Sequence, residues 1–255
     1  MRQIIRFLKS TILRELTDTK SINLFLFGVI IFVFFSPERN AEYSLYLNSL
    51  LGGIDVVEEY FGIPFDATMR WLFLFSLYVF SFGYTTDREV SAFSIYVRTR
   101  MVKQQFWIIA EILLFSFKTI FLSMLVLFFT FFAHPIEGGG HLGFSQYNAA
   151  LMLLMTIYFF RIGMSLFFFR ILLGSVSGSV ILLFLIEGGS FICGLLIPKA
   201  RKYMPGLWGM YNQSNFVSEN GFSFHFIVLF QAFTVLVLGA LGYLHIKRNG
   251  LMVNT

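Results

Sequence analysis

Charge is scarce in this chain of 255 residues: Asp, Glu, Lys and Arg make up 13% of it, against about a quarter in soluble domains. The sequence also has a single cysteine, Cys193, which excludes a disulfide framework and a metal site built from several thiolates. Hydrophobic residues account for 57% of the chain, 35 residues are phenylalanine, and the mean hydropathy is +0.75. This composition excludes a disordered chain and an ordinary soluble enzyme, and it indicates a polytopic membrane protein.

Six apolar stretches are long enough, or nearly so, to cross the ~30 Å hydrocarbon core of a bilayer, which takes about 20 helical residues. They are residues 22–35, 67–86, 105–133, 147–169, 171–197 and 221–246. We therefore expect an all-α fold with six transmembrane helices. No Pro-rich or Gly/Ser-rich linker divides the chain, so we expect one domain over residues 1–255. Before the first span, residues 1–20 alternate Ile and Leu with Arg and Lys at helical spacing, which predicts an amphipathic helix at the membrane surface.

Lysine and arginine residues predict the orientation, because the cytoplasmic loops of membrane proteins are enriched in them. With both termini inside, twelve of the nineteen lie on the cytoplasmic side and four outside. The twelve are Arg2, Arg6, Lys9, Arg14, Lys20, Arg88, Arg98, Arg100, Lys103, Arg170, Lys247 and Arg248. We expect a multi-pass protein of the plasma membrane with both termini cytoplasmic. The net charge of +5 lies mostly in the inner loops, so it requires no nucleic-acid partner.

The one sizeable cytoplasmic loop, residues 87–104, is rich in charge. Acidic residues stand at its start, where a helix N-terminus favours negative charge, and basic residues stand at its end. The pattern predicts a short helix along the membrane, which is either an ordinary basic loop or a docking helix that receives motion from a soluble motor. The residues that we assign to docking are Asp87, Arg88, Glu89, Tyr96, Arg98, Arg100 and Lys103.

The segment between the last two spans, residues 198–220, has an unusual composition for a simple loop. It contains Pro198, Pro205, Trp208 and Tyr211. Prolines and aromatic residues close to a span predict a short re-entrant or interfacial segment.

Together these features resemble the membrane subunit of a type 2 ABC transporter, the permease group that includes drug, polysaccharide and peptide exporters. The features behind the resemblance are the amphipathic helix 1–20, the triplet Asp87-Arg88-Glu89, Arg98 and Arg100, Trp107 at the start of the third span, the tight link between the fourth and fifth spans, and Pro198 and Pro205 before the sixth. The Arg-x-Arg followed by Trp is similar to small permeases that export antimicrobial peptides or protect against them.

The resemblance implies a permease that moves a hydrophobic or peptide-like substrate across or out of the membrane. It implies a separate ABC ATPase subunit as one partner, with the docking helix in a groove of that ATPase. It also implies a second copy of this chain, or a paralogous permease, as the other half of the pathway. The sequence has no Gly-x-x-x-x-Gly-Lys-Ser/Thr run, so ATP and Mg are expected on the partner. This chain is expected to bind no cofactor and to be no enzyme.

Charges within the predicted spans are costly unless they are paired or functional. At about 1.5 Å per residue, the depth of Glu111 matches that of Arg161, and the depth of Lys118 matches that of Glu187. We therefore expect these two ion pairs, either as structural pairs or as the polar lining of a transport path. The second interpretation supports an alternative function, an ion-coupled secondary transporter or channel that needs no ATPase.

Catalytic and metal sites are not expected from the sequence. Gly174–Gly178 lacks the Gly-x-Ser-Gly spacing of intramembrane serine proteases, and its Gly-x-x-x-Gly spacing predicts close helix packing within a span. His134, His141 and His225 lie near the predicted outer face, but no spacing fixes a metal geometry among them.

Overall fold

The computed structural model describes residues 19–34, 51, 53, 65–100, 104–133, 146–215 and 221–249. Within these ranges the chain forms six α-helices and no extended strand. They are α1 (Thr19–Phe34), α2 (Phe65–Arg100), α3 (Gln104–Ala133), α4 (Gln146–Leu173), α5 (Val176–Leu196) and α6 (Phe224–Asn249). The predicted all-α class is confirmed. The predicted surface helix, residues 1–20, falls almost entirely outside the described residues.

Four of these helices are long and apolar enough to cross a membrane, which indicates a membrane protein. Their apolar parts are Ile112–Phe131, Ala149–Leu173, Val176–Leu196 and Phe224–Arg248. The apolar part of α1, Ile22–Val33, is shorter, at about 18 Å. Helix α2 is not among the four, because Arg70, Asp87 and several Ser, Thr and Tyr residues lower its hydropathy.

Helix α2 continues without a break from Phe65 to Arg100. The prediction of a separate helix starting at Asp87 is therefore wrong: the second apolar stretch and residues 87–100 belong to one helix of 36 residues. The physical reason is that no proline or glycine occurs between Gly83 and Arg100, so nothing in that stretch stops a helix.

Helix α4 is the centre of the bundle. It packs against α2, α3, α5 and α6, and 72% of its apolar stretch is buried, against 17% for that of α6. Aromatic rings fill its contact with α2: Tyr78 and Phe159 stack with ring centroids 3.7 Å apart, and Trp71 lies 5.8 Å from Tyr158. The apolar surface of α6 is mostly left on the outside of the bundle.

Two residues connect α4 to α5. Gly174 adopts a left-handed backbone with φ of 69°, and its N–H donates to the carbonyl of Arg170 at 3.1 Å, which ends α4. Ser175 caps α5, since its Oγ accepts from the N–H of Gly178 at 3.2 Å. The link is as tight as predicted. However, Gly174–Gly178 forms a turn and a helix cap, not the packing motif that we expected within a span.

The chain that follows α5 folds back along that helix in three 3-10 turns, Pro198–Tyr203, Pro205–Leu207 and Tyr211–Gln213. The N–H of Gly206 donates to Ser190 Oγ at 2.8 Å, and its Cα packs against the backbone at Glu187. Because Glu187 lies well before the end of α5 at Leu196, the segment descends about 14 Å along the helix. We call residues 198–215 the re-entrant segment.

Replacing Gly206 by alanine should destabilise the protein. A Cβ at Gly206 would overlap the carbonyl oxygen of Glu187 and lie 2.8 Å from the nitrogen of Phe191, both backbone atoms of α5. Such overpacking costs about 1–3 kcal/mol, and each kcal/mol lowers the melting temperature by about 2–4 °C. Thermal unfolding of the detergent-solubilised protein measures the change.

Gly189→Ala is the matched control for Gly206→Ala. Nothing lies within 4 Å of the Cβ position of Gly189, and alanine is the better helix former, so this variant should melt at or slightly above the wild-type temperature. Equal melting temperatures for the two variants would contradict the close approach at Gly206.

Candidate functional site

A buried ion pair joins α4 to α5 halfway along both helices. Arg161 Nη1 donates to Glu187 Oε1 at 2.6 Å, and Arg161 Nη2 donates to Glu187 Oε2 at 2.8 Å. The two side chains are only 5% and 3% exposed. A guanidinium that meets a carboxylate through two parallel hydrogen bonds forms a strong contact of fixed geometry. Glu187 is the twelfth of the 21 residues of α5, so the pair lies far from either end of the helix.

Aromatic rings from two parts of the chain cover this pair. The guanidinium carbon of Arg161 lies 5.2 Å from the ring centroid of Tyr158 and 6.0 Å from that of Trp208. The positive charge is therefore held by a carboxylate and by two π-faces, an arrangement that stabilises a cation away from water. Trp208 belongs to the re-entrant segment, which thus completes the site.

The observed pair differs from the pairs expected from the sequence. We matched Glu111 with Arg161 and Lys118 with Glu187, whereas Arg161 and Glu187 bind each other. The depth estimate was wrong because it took residue 170 as the point where the chain turns from the fourth span into the fifth. The turn lies instead at Gly174 and Ser175. Arg161 lies before this turn and Glu187 after it, at nearly the same number of residues from it. Their depths are then nearly equal, at about 20 and 18 Å from the turn.

Lys118 of α3 binds to α2 and takes no part in the Arg161–Glu187 pair. Its Nζ donates to the carbonyl of Ser81 at 3.0 Å and to the hydroxyl of Thr85. In the same interface, the Tyr78 hydroxyl and Ser123 Oγ share a hydrogen bond of 3.1 Å. These groups form a buried polar contact between the two helices. The side chain of Glu111 lies outside the described residues.

Among the predicted docking residues, the structure describes the contact of Asp87. Its Oδ1 lies 3.3 Å from Nη2 of Arg170, in the last turn of α4. Asp87 is 57% exposed and Arg170 only 9%, so the pair sits at the edge of the bundle. Arg170 was not predicted as the partner of Asp87, although a basic residue in the last turn of a helix is a signal that the sequence contains. The side chains of the other docking residues lie outside the described part: Arg88, Glu89, Tyr96, Arg98, Arg100 and Lys103.

The start of the re-entrant segment carries two basic residues. Arg201 Nε donates to the carbonyl of Gly194 at 3.3 Å, and partial burial lowers the pKa of Arg201 from its ordinary value. The Lys202 ammonium lies 5.3 Å from the ring centroid of its neighbour Tyr203. The Arg201 contact ties the first 3-10 turn to the end of α5.

A crevice beside the ion pair separates part of α2 from α5. Its wall contains five aromatic side chains and one carboxylate, Trp71, Phe75, Tyr158, Phe184, Phe191 and Glu187. Counting its open side, the crevice has ≈ 250 Å³ of free space, and between its walls it has room for about one water molecule. The lining is mostly apolar with a single charged side chain, as in many small-molecule sites.

The described residues offer no metal site: among them, no group of three or more His, Cys, Asp or Glu side chains is placed to hold an ion. His134 and His141 lie outside those residues. Cys193 is a free, exposed thiol on α5.

Comparison with known proteins adds no family to this picture. The chain matches no protein-family model, no curated protein and no solved structure. Its function is therefore argued from the site and from the arrangement of the helices.

Breaking the mid-depth ion pair should be strongly destabilising. Glu187→Gln or Arg161→Gln leaves one buried charge without its partner, which costs about 3–5 kcal/mol. The exchanged variant, Arg161→Glu with Glu187→Arg, restores opposite charges and should recover a large part of the loss. Unfolding free energies in mixed micelles, titrated with SDS, measure both effects. An exchanged variant no more stable than either single variant would contradict the pairing.

The Asp87–Arg170 pair at the bundle edge should contribute far less. Asp87 is mostly exposed, and exposed ion pairs are worth about 0–1 kcal/mol. In the same SDS titration, Asp87→Asn should therefore change the unfolding free energy by less than about 1 kcal/mol. A loss as large as that of Glu187→Gln would show that this contact is a main support of the fold.

Proposed function

We propose that this chain is the membrane-spanning subunit of a type 2 ABC transporter. In this proposal it moves a hydrophobic or peptide-like substrate across or out of the membrane, with ATP hydrolysed on a separate ATPase subunit. Helices α1 and α2 supply two further spans, which makes six, and both termini lie in the cytoplasm. A second copy of the chain, or a paralogous permease, forms the other half of the pathway.

The observation that carries the proposal is the length of α2 and of α3 beyond their contact. Lys118 of α3 contacts Thr85 of α2, and α2 continues from that contact to its end at Arg100. Helix α3 begins at Gln104 and reaches the same contact at Lys118. The part of each helix between this contact and the connection at residues 101–103 is thus roughly 22 Å long.

Helix α2 also extends past the turn between α4 and α5 at this end. From the Asp87–Arg170 contact, α2 continues to Arg100, whereas α4 turns at Gly174, one helical turn later. Beyond that contact, α2 is therefore longer than α4 by about 14 Å of helix. The extension includes Arg98 and Arg100, so it is a basic arm that suits an acidic groove on a soluble partner.

The alternative function, ion coupling, draws on the mid-depth charges. An intramembrane carboxylate is a common site for ions and protons. Here, however, both oxygens of Glu187 accept from Arg161, and arginine does not release a proton at physiological pH. The pair therefore fits a fixed connection between α4 and α5 better than a relay. Proton-driven flux in liposomes that contain only this chain would favour the alternative.

Co-purification with the native neighbouring proteins tests the proposal. The wild-type chain, isolated in mild detergent, should bring down an ABC ATPase that mass spectrometry identifies. The variant Arg98→Glu with Arg100→Glu should lose it, because the charge of the arm is reversed and the groove would repel it. The readout is the ratio of ATPase to permease peptides.

A matched control reverses the same amount of charge elsewhere. Lys247→Glu with Arg248→Glu alters two exposed basic residues in the last turn of α6 and should keep the ATPase. If no ATPase accompanies folded wild-type chain, the permease proposal fails. If both double variants lose the ATPase equally, the α2–α3 arm is not the contact.

A further inference from the structure

We propose that the crevice between α2 and α5 binds the ammonium group of an amphiphile dissolved in the membrane. The inference rests on the proposed export function and deepens it, because it gives the substrate a chemical class. That class is an organic cation attached to an apolar body, such as an alkylammonium ion or a lysine-bearing lipophilic peptide.

The described lining of the crevice contains no cationic side chain. Glu187 lines it, while Arg161, the partner of Glu187, is not part of the lining. The rest of the wall is largely aromatic, and the faces of aromatic rings carry negative potential. The described part of the chain already holds one cation in this way, since Arg161 lies over Tyr158, a ring that the crevice shares.

Glu187 has acceptor capacity left for a ligand. An ionised carboxylate offers about four lone-pair positions on its two oxygens. Arg161 uses one position on each oxygen, which leaves about two positions for other donors. An ammonium N–H can therefore donate to a remaining position without displacing Arg161. The ion pair stays intact, and the ligand adds to it.

The position of the crevice indicates where the ligand comes from. Glu187 lies about 14 Å from the end of α5. The crevice is therefore at the depth of the lipid tails. Leu72 and Gly188, which also line the crevice, are partly exposed there. A ligand that enters at this depth arrives through the bilayer, and its apolar body stays among the lipid chains while its head reaches Glu187.

Gly188 offers a way to close the crevice without disturbing the fold. Gly188 lines the crevice, and nothing lies within 4 Å of its Cβ position, so a larger side chain projects into free space. Gly189 has equally open surroundings but does not line the crevice. Gly188→Leu and Gly189→Leu therefore add the same bulk to the same helix, and only the first fills the site.

Photolabelling of the purified chain in lipid nanodiscs, without any ATPase, tests the inference. The probes are a decylammonium ion and decanol, each with a diazirine in the alkyl chain, and labelled peptides are mapped by mass spectrometry. The ammonium probe should label the peptides of residues 71–75 and 184–191 about five-fold more than decanol does, as a modest cation–π attraction predicts. Gly188→Leu should remove most of this labelling, and Gly189→Leu should leave it unchanged.

Two results would overturn the inference. Equal labelling by decanol would mean that the crevice accepts any alkyl chain and is a lipid contact. Ammonium labelling that persists in Gly188→Leu would place the cation elsewhere. Because no ATPase is present, neither result affects the co-purification test of the proposed function. A failure of the co-purification test would, in the same way, not change the labelling result.

Discussion

The buried pair of Arg161 and Glu187 is the constraint around which the rest of the fold is arranged. Two charges at mid-depth in a membrane protein are tolerable only when they meet each other with good geometry and are shielded. Their meeting requires α4 and α5 to turn at Gly174, so that both residues lie at equal depth. It also requires a cover, which the re-entrant segment provides through Trp208 while Gly206 brings its backbone against α5. One electrostatic requirement thus links a turn, a hairpin and a loop that are separated in the sequence.

Much of the helical framework was predictable from the sequence, because the thickness of a bilayer sets the length of an apolar helix. The predicted stretch 105–133 became α3, Gln104–Ala133, and the stretch 221–246 became α6, Phe224–Asn249. Composition alone also identified Pro198 and Pro205 as parts of a segment that departs from an ordinary loop. These successes concern single elements, whose physics is local.

The pairing of charges was not predictable, because it depends on the register between elements. A shift of the α4–α5 turn by about four residues changes the depth of each charged side chain by about 6 Å. The position of the turn depends on the left-handed backbone of Gly174. Lys118 illustrates the same limit: it donates to a carbonyl and a hydroxyl, those of Ser81 and Thr85, and a search for opposite charges does not find such groups. The wrong boundary at residue 87 has a simpler origin: the end of the apolar stretch was taken as the end of the helix, whereas α2 contains no Pro or Gly between Gly83 and Arg100 that would stop it.

The unbroken α2 has a mechanical consequence. Arg100 and Trp71 lie on one hydrogen-bonded rod, about 44 Å apart. Lys118 contacts that rod between them, at Ser81 and Thr85. Trp71 in the wall of the crevice and Arg100 at the basic end are therefore joined by one unbroken run of backbone hydrogen bonds.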